Sequence, residues 1–336
     1  MRAEVLVDYL TFTVLRRGAT VGEVIATYLH LNPDMFTPQP YGLNGYNKSL
    51  ALGDIRVMYN EGEGVREDMG ICVSMSGNGC RLFEKMTGWT GADKFAPLLR
   101  MLAEGDDCHL TRIDIACDDK TGQLDMETMR EKVQRHEINS RTKRHTEIRD
   151  MDGKTVCGDT LYIGSKSSDF LIRIYDKAAE QGVSGHWIRV EMRIKGKNAQ
   201  SVAEKYQNYD TVGAFAAEIL NNKFSFIERD DSNTSRCSVS VFWRSFVEAV
   251  EQVDLWTRHA VQHPIEKVLT WISQSLGPSL CMVLDTYGMS ELYRIAEASR
   301  GRLSGAQEAL ISDWRVQNTS NIPLPVPAIP AGTAAC

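Results

Sequence analysis

Three runs of the chain alternate polar and apolar residues: TRIDIACDD (111–119), LIRIYDK (171–177) and WIRVEMRIK (187–195). In a strand, successive side chains point to opposite faces. One side of these runs is therefore apolar, with Ile113, Ile115 and Cys117, then Ile172 and Ile174, then Ile188, Val190, Met192 and Ile194. The other side carries Arg112, Asp114 and Asp118, then Arg173, Tyr175 and Lys177, then Arg189, Glu191, Arg193 and Lys195. That pattern demands a sheet with one packed face and one wet face. If the runs are neighbours, the wet face gathers a phenol, carboxylates, guanidinium groups and ammonium groups, the parts needed for phosphoryl transfer to tyrosine.

The rest of the pattern supplies a frame. Residues 5–15 alternate as a strand, 20–31 have helical spacing after Thr20, and 53–62 and 70–86 read as two strands, the second passing through Gly77 and Gly79 into a helix. The plan then recurs: strand 111–119, helix 124–136, strands 159–165 and 169–177, and a strand over 187–195 leading to a helix over 198–207. IRVMYNE corresponds to IRIYDKA, and CVSMSGNGCRLFEKM to RVEMRIKGKNAQSVAEKY, a weak repeat carried by element order more than by identity. The expected fold class is α+β, with antiparallel β-sheets from two weakly repeated β-α-β-β-β-α halves (about 1–105 and 106–208) in a catalytic domain 1–208. A mostly helical region over 209–317, suited to DNA binding or oligomerisation, and a disordered Pro/Ala-rich tail over 318–336 complete the expected organisation.

Composition excludes several classes. No run approaches 18 apolar residues and the N-terminus lacks a small-residue cleavage site, so a cytoplasmic protein without a membrane partner is expected. The 8 cysteines are scattered, with no CxxC, and read as reduced thiols. A net charge of −6 argues against a uniformly basic coat, yet Arg189, Arg193, Lys195 and Lys197 cluster, as do residues 141–145 (RTKRH), and a local basic groove can bind phosphates.

Tyr175 is the candidate nucleophile. Its phenol, with an ordinary pKa near 10, needs help from Arg173 and Lys177 to attack a phosphate. Asp114, Asp118 and Glu191 have the oxygen chemistry of a hard cation site, for Mg²⁺ or Mn²⁺. No His-x-His pair exists, so a metal would rest on carboxylates. SGNGCR (76–81) lacks the later glycine of a dinucleotide fingerprint and reads as a strand-to-helix turn. HWIR (186–189) enters a strand, unlike the helical HxxR of tyrosine recombinases.

The segments VDYLTFTV, VSMSGNGCRLFE, LTRIDIACDD, DTLYIGSKSSDFLIRIYDKAAEQG, HWIRVEMRIK and RCSVSVFWRSF, collinear over roughly 7–246, carry a resemblance. In them the chain resembles the Rep_trans-type replication initiation factors of rolling-circle plasmids, integrative conjugative elements and filamentous phages. The resemblance implies a metal-dependent endonuclease that nicks one strand at an origin, forms a 5′-phosphotyrosine and a 3′-OH primer, and later rejoins strands. It implies Tyr175 as nucleophile, Arg173 and Lys177 as phosphate contacts, and Asp114 and Glu191 as ligands of Mg²⁺ or Mn²⁺, with Asp118 as a third. Arg112, Arg189, Arg193, Lys195 and Lys166 are the expected DNA contacts. Single-stranded or hairpin-extruded origin DNA, a homodimer, and a host helicase and polymerase are the expected partners. A conjugative relaxase with the same chemistry and a non-catalytic origin-binding factor are the alternatives.

Overall fold

The alternating runs all enter one ten-stranded sheet. Its strands are β1 (Glu4–Val14), β2 (Thr37–Gln39), β3 (Lys48–Leu52), β4 (Ile55–Tyr59), β5 (Ile71–Met75), β6 (Cys108–Asp119), β8 (His145–Asp152), β9 (Thr155–Ile163), β10 (Phe170–Asp176) and β11 (Ile188–Lys195). β7 (Ile138–Ser140) pairs separately with β12 (Phe224–Phe226). The computed structural model describes residues 3–62, 67–89, 93–142, 144–152, 155–209, 211–253, 268–269, 272–301, 311 and 314–315.

The strand order is β2-β3-β4-β5-β1-β6-β11-β10-β9-β8, and each neighbouring pair is antiparallel. Outward from the central β1–β6 pair, the two halves follow the same path: β5, β4, β3, β2 on one side and β11, β10, β9, β8 on the other. The sequence repeat is thus a pseudo-two-fold axis between β1 and β6. The halves share one sheet because β1 and β6, the two longest strands, pair along nearly their whole length, which leaves neither with an open edge.

Helices cover the apolar face. α1 (Val21–Val24) starts at Thr20 with a capping box to Glu23, as the spacing predicts, and continues as a π turn to Leu29. α2 (Gly77–Met86), α3 (Phe95–Glu104) and α6 (Lys197–Tyr206) bury Phe83, Phe95, Leu98, Leu102, Val202 and Tyr206. Gln200 ties the layers, accepting from Leu110 N at 2.8 Å and donating to Leu102 O at 2.9 Å. α4 (Met126–Gln134) is capped by Asp125 and holds Arg130 against the buried Asp159 of β9. The SGNGCR turn opens α2, and a Cβ on Gly79 would lie 2.4 Å from Asp54 O, so that glycine is there for close packing.

The first compact unit is Met1–Thr257 and the second Arg258–Cys336. The first therefore runs past residue 208, because α7 (Val212–Lys223), β12 and α8 (Val241–Glu251) build on the sheet domain. Trp243 of α8 meets Phe224 at 5.3 Å and Phe226 at 5.2 Å, and Lys132 donates to Ile227 O at 2.9 Å. The RCSVSVFWRSF segment is thus an aromatic core. The second unit contains helices Gly277–Tyr287 and Met289–Arg300. The tail over 318–336, and residues 263–267 and 270–271 of the helical run over 263–277, lie outside the described residues. Among the described residues, no helix is long and apolar enough to cross a membrane, and the cysteines are free.

Candidate active site

The second half of the sheet sets its polar side chains in rows across β10, β11, β6 and β1. The register opposes Tyr175 to Arg189, Arg189 to Asp118 and Asp118 to Glu4. One step along lies Arg173–Glu191–Ala116–Leu6, and one further Leu171–Arg193–Asp114–Tyr9. Candidate residues far apart in sequence are in this way brought together.

Tyr175 is 2% exposed. The Arg173 guanidinium lies 3.7 Å from its ring centroid and the Lys177 ammonium 5.6 Å. Burial and then the Glu191 charge push the phenol above its ordinary pKa, against the pull of Arg189 and Arg173. Lys177 reaches the ring by a route the strand pattern did not predict. β10 ends at Asp176, which caps α5 (Lys177–Gln181) by accepting from Ala179 N at 2.9 Å, so Lys177 is the first helical residue and pairs with Glu180.

Arg189 is buried and does not face solvent as the expected DNA contact. Its Nε and Nη2 donate to the two Asp118 oxygens at 2.6 and 2.8 Å, and its Nη1 meets Asp8 at 3.0 Å. Asp118 is 1% exposed with both oxygens held by Arg189, just as both oxygens of the buried Asp114 are held by Arg112, so either carboxylate would have to release its guanidinium to take a metal. Asp8 is the member that sequence reasoning missed. Alternation in VDYLTF would put Asp8 on the opposite face from Tyr9, but a register shift between Val7 and Tyr9 inserts one extra residue into β1. Asp8 continues the alternation of Glu4 and Leu6, and the bulge sets Tyr9 on the same polar face beside it; Ala116, with only a methyl at the intervening position, leaves room for Arg189 to reach Asp8. A Cβ on Gly77 would lie 3.0 Å from Asp8 Oδ1, so the turn into α2 closes against the same carboxylate.

Asp114 is buried and bonded to Arg112, whose Nε donates at 2.9 Å and whose guanidinium stacks on Tyr9 at 3.8 Å. Burial raises the Asp114 pKa despite Arg112. Glu191 is pushed up to about 7 by burial and then by the Asp114 and Asp8 charges; its contact with Arg173 is 3.8 Å. Arg193 and Lys195 bond to Lys166 O at 3.0 and 3.5 Å, and the exposed Lys166 lies 4.9 Å over Tyr162. Arg173 Nε and Arg193 Nε are buried without a hydrogen-bond partner.

No group of three His, Cys, Asp or Glu stands at metal-ligand spacing among the described residues. In chemistry, however, Glu191 suits a hard divalent cation, being an oxygen donor whose carboxyl is pushed up by burial and then by the Asp114 charge, and Asp114 would join it on releasing Arg112.

The family described as "Replication initiation factor" (Rep_trans) matches residues 108–297, and "Rolling Circle replication initiation protein N-terminal domain" matches residues 4–100. "Putative DNA relaxase NicK" of Bacillus subtilis is 27% identical over 291 residues, 83% of this chain and 80% of that protein. The structure of the rolling circle replication initiator protein from Geobacillus stearothermophilus superposes with a TM-score of 0.67 at 29% identity, covering 75% of this chain and 98% of the other. The chain, from its doubled sheet to the tyrosine-bearing polar face, belongs to the replication initiation factor family that serves rolling-circle replication.

Proposed function

We propose that this protein nicks one strand of origin DNA by attack of Tyr175 Oη on the scissile phosphorus. The phenol gives up its proton as the Oη–P bond forms and the P–O3′ bond breaks, a 5′-phosphotyrosine remains on the enzyme, and the departing oxygen takes up a proton to become the 3′-OH that primes a host polymerase. The observation that carries this reading is Tyr175 lying under Arg173 and beside Arg189 and Glu191 on one sheet face. A phosphate that draws Arg173 off the ring exposes the phenol and places positive charge on the non-bridging oxygens. Arg189, held by Asp118 and Asp8, keeps a fixed positive charge next to the phenolate as it forms. A divalent cation on Asp114 and Glu191 would polarise the phosphoryl oxygen and cancel the Glu191 charge that holds the phenol pKa up. Because the phosphotyrosine keeps the ester, a later 3′-OH can attack it and rejoin a strand. The substrate is unpaired DNA, single-stranded or extruded as a hairpin, since in-line attack needs a phosphate free of regular duplex.

The match to a relaxase favours a second use of the same chemistry, strand transfer during conjugation. Labelled single-stranded oligonucleotides tiling the origin, incubated with Mn²⁺ or EDTA and run on a denaturing gel, test the chemistry. The expected result is a metal-dependent nick and a covalent protein–DNA band, both absent with Tyr175→Phe. An adduct undiminished in that variant would transfer the role to another tyrosine, and binding without any adduct would leave only an origin-binding factor.

A further inference from the structure

The polar face does not end at the tyrosine row. One residue beyond the Ile188–Asp119 pair lies Trp187, continuing the alternation of Arg189, Glu191 and Arg193. Its carbonyl accepts from Lys177 N at 2.8 Å, so Trp187 sits beside the residue that follows the candidate nucleophile's strand. The Lys120 ammonium lies 4.6 Å from its ring centroid and the Arg189 guanidinium 5.8 Å. Lys177, Trp187 and Lys120 therefore form a further row, basic on both sides and aromatic between, about 7 Å from the Tyr175–Arg189 row at the rise of two strand residues.

The indole is only half-buried, and its Nε1 is buried without an acceptor. An orphaned buried donor costs stability, so a plain hydrocarbon would pack better here if packing were the only task. What an indole offers instead is a flat, electron-rich face, and the ammonium groups beside it suit a phosphate backbone. Both are paired through groups that reach solvent, Lys177 with Glu180 and Lys120 with Glu4, and surface pairs of this kind exchange readily for phosphate.

We propose that Trp187 is a base-stacking platform for single-stranded DNA, taking a nucleotide next to the phosphate at Tyr175, with Lys120 and Lys177 on the backbone either side. The placement of that nucleotide rests on Tyr175 as the reacting group; stacking itself is measured without cleavage. Aromatic–base stacking tolerates any base, so the platform adds affinity for unpaired DNA without reading its sequence.

The test uses the full chain carrying Tyr175→Phe, so that no adduct forms, and equilibrium binding of two probes of about eight nucleotides. One is an oligothymidylate and the other its abasic counterpart. The ratio of the two dissociation constants reports what the bases contribute, independently of phosphate contacts and of which residue is the nucleophile. Trp187→Leu is expected to reduce the base-dependent ratio about tenfold, while Trp187→Phe keeps most of it. An unchanged ratio in a folded Trp187→Leu variant overturns the proposal. Should the leucine variant not fold, tryptophan emission decides. Saturating oligothymidylate is expected to quench the Tyr175→Phe protein more than its Trp187→Phe derivative, and equal quenching would overturn the proposal. A tyrosine adduct on a gel with no base-dependent coupling at Trp187 would reject the platform and keep the nicking reading; the reverse would do the opposite.

Discussion

The two halves of the sheet share a backbone plan and differ in chemistry at the corresponding positions. In β4–β5, Arg56 opposes Ser74 and Met58 opposes Cys72; in β10–β11, Arg173 opposes Glu191 and Tyr175 opposes Arg189. Thr13 opposes Cys72 as Asp118 opposes Arg189. The first half thus keeps only the arginine and replaces nucleophile, buried guanidinium and carboxylates with Met58, Cys72, Ser74 and Thr13. Its pseudo-site is also covered. Tyr46 lies against Cys72 and Thr13, where burial pushes its phenol up to about 12, and it donates to Met69 O at 2.8 Å. Asn47 pins the covering loop through Asn60 and Glu61. Arg56 apart, one half is filled with neutral side chains; the other holds buried ions at the same positions. Buried ion pairs seldom add net stability, which is in keeping with the catalytic role proposed for the second half, on a sheet that the first half extends.

Four experiments would break or sharpen that contrast. The largest effect is expected from Tyr175→Phe, with adduct formation on a denaturing gel falling at least about a thousandfold. Adding Met58→Tyr should not restore it, because Arg56 is the one charged counterpart there and neither a buried guanidinium at Cys72 nor a carboxylate at Ser74 or Thr13 accompanies it. Restoration would show that the frame alone suffices. Next, Arg189→Ala strands the buried Asp118 and should cost about 3–5 kcal/mol in urea unfolding, against about 1 kcal/mol for Cys72→Ala at the matching position. Equal losses would mean the triad is not a buried electrostatic unit.

A smaller effect is expected from pH. The Glu191 carboxyl titrates near 7 in the folded protein against an ordinary 4.5. The folded state therefore holds the proton more tightly, and the stability this gives is complete below the ordinary value and lost as pH rises through about 7. In EDTA, wild type should lose up to roughly 3 kcal/mol relative to Glu191→Gln across that window, and parallel urea midpoints for the two proteins would refute the buried, crowded carboxylate. The smallest change should come from Ser74→Ala, the first-half counterpart of Glu191. It removes the 2.8 Å bond to Tyr9 and the 3.2 Å bond to Thr11 for about 1 kcal/mol, with nicking rate unchanged.

Strands with a strong binary pattern were legible before the structure. β6, β10 and β11 lie where alternation places them, and the correspondence of IRVMYNE with IRIYDKA is a true structural equivalence, β4 with β10. β8 was not legible, since every residue on this sheet-edge strand except His145 is exposed and no apolar face marks it. The short β2, β7 and β12, with three residues each, carry too little pattern to read.

In the site, residue types and shared face followed from two-residue periodicity, which is local. Partnership did not, because it depends on register, and a strand's sequence does not say what lies across from it. Thus Tyr175 and Glu191 could be nominated from the chain, while only folding showed that Asp118 is spent on Arg189, that Lys177 reaches the phenol from a helix, and that a single extra residue in β1 sets Tyr9 beside Asp8 on the face of the ion cluster. Alternation is written into neighbouring residues; bulges, pairings and burial arise between segments distant in the chain, and it is those that decide which charges meet.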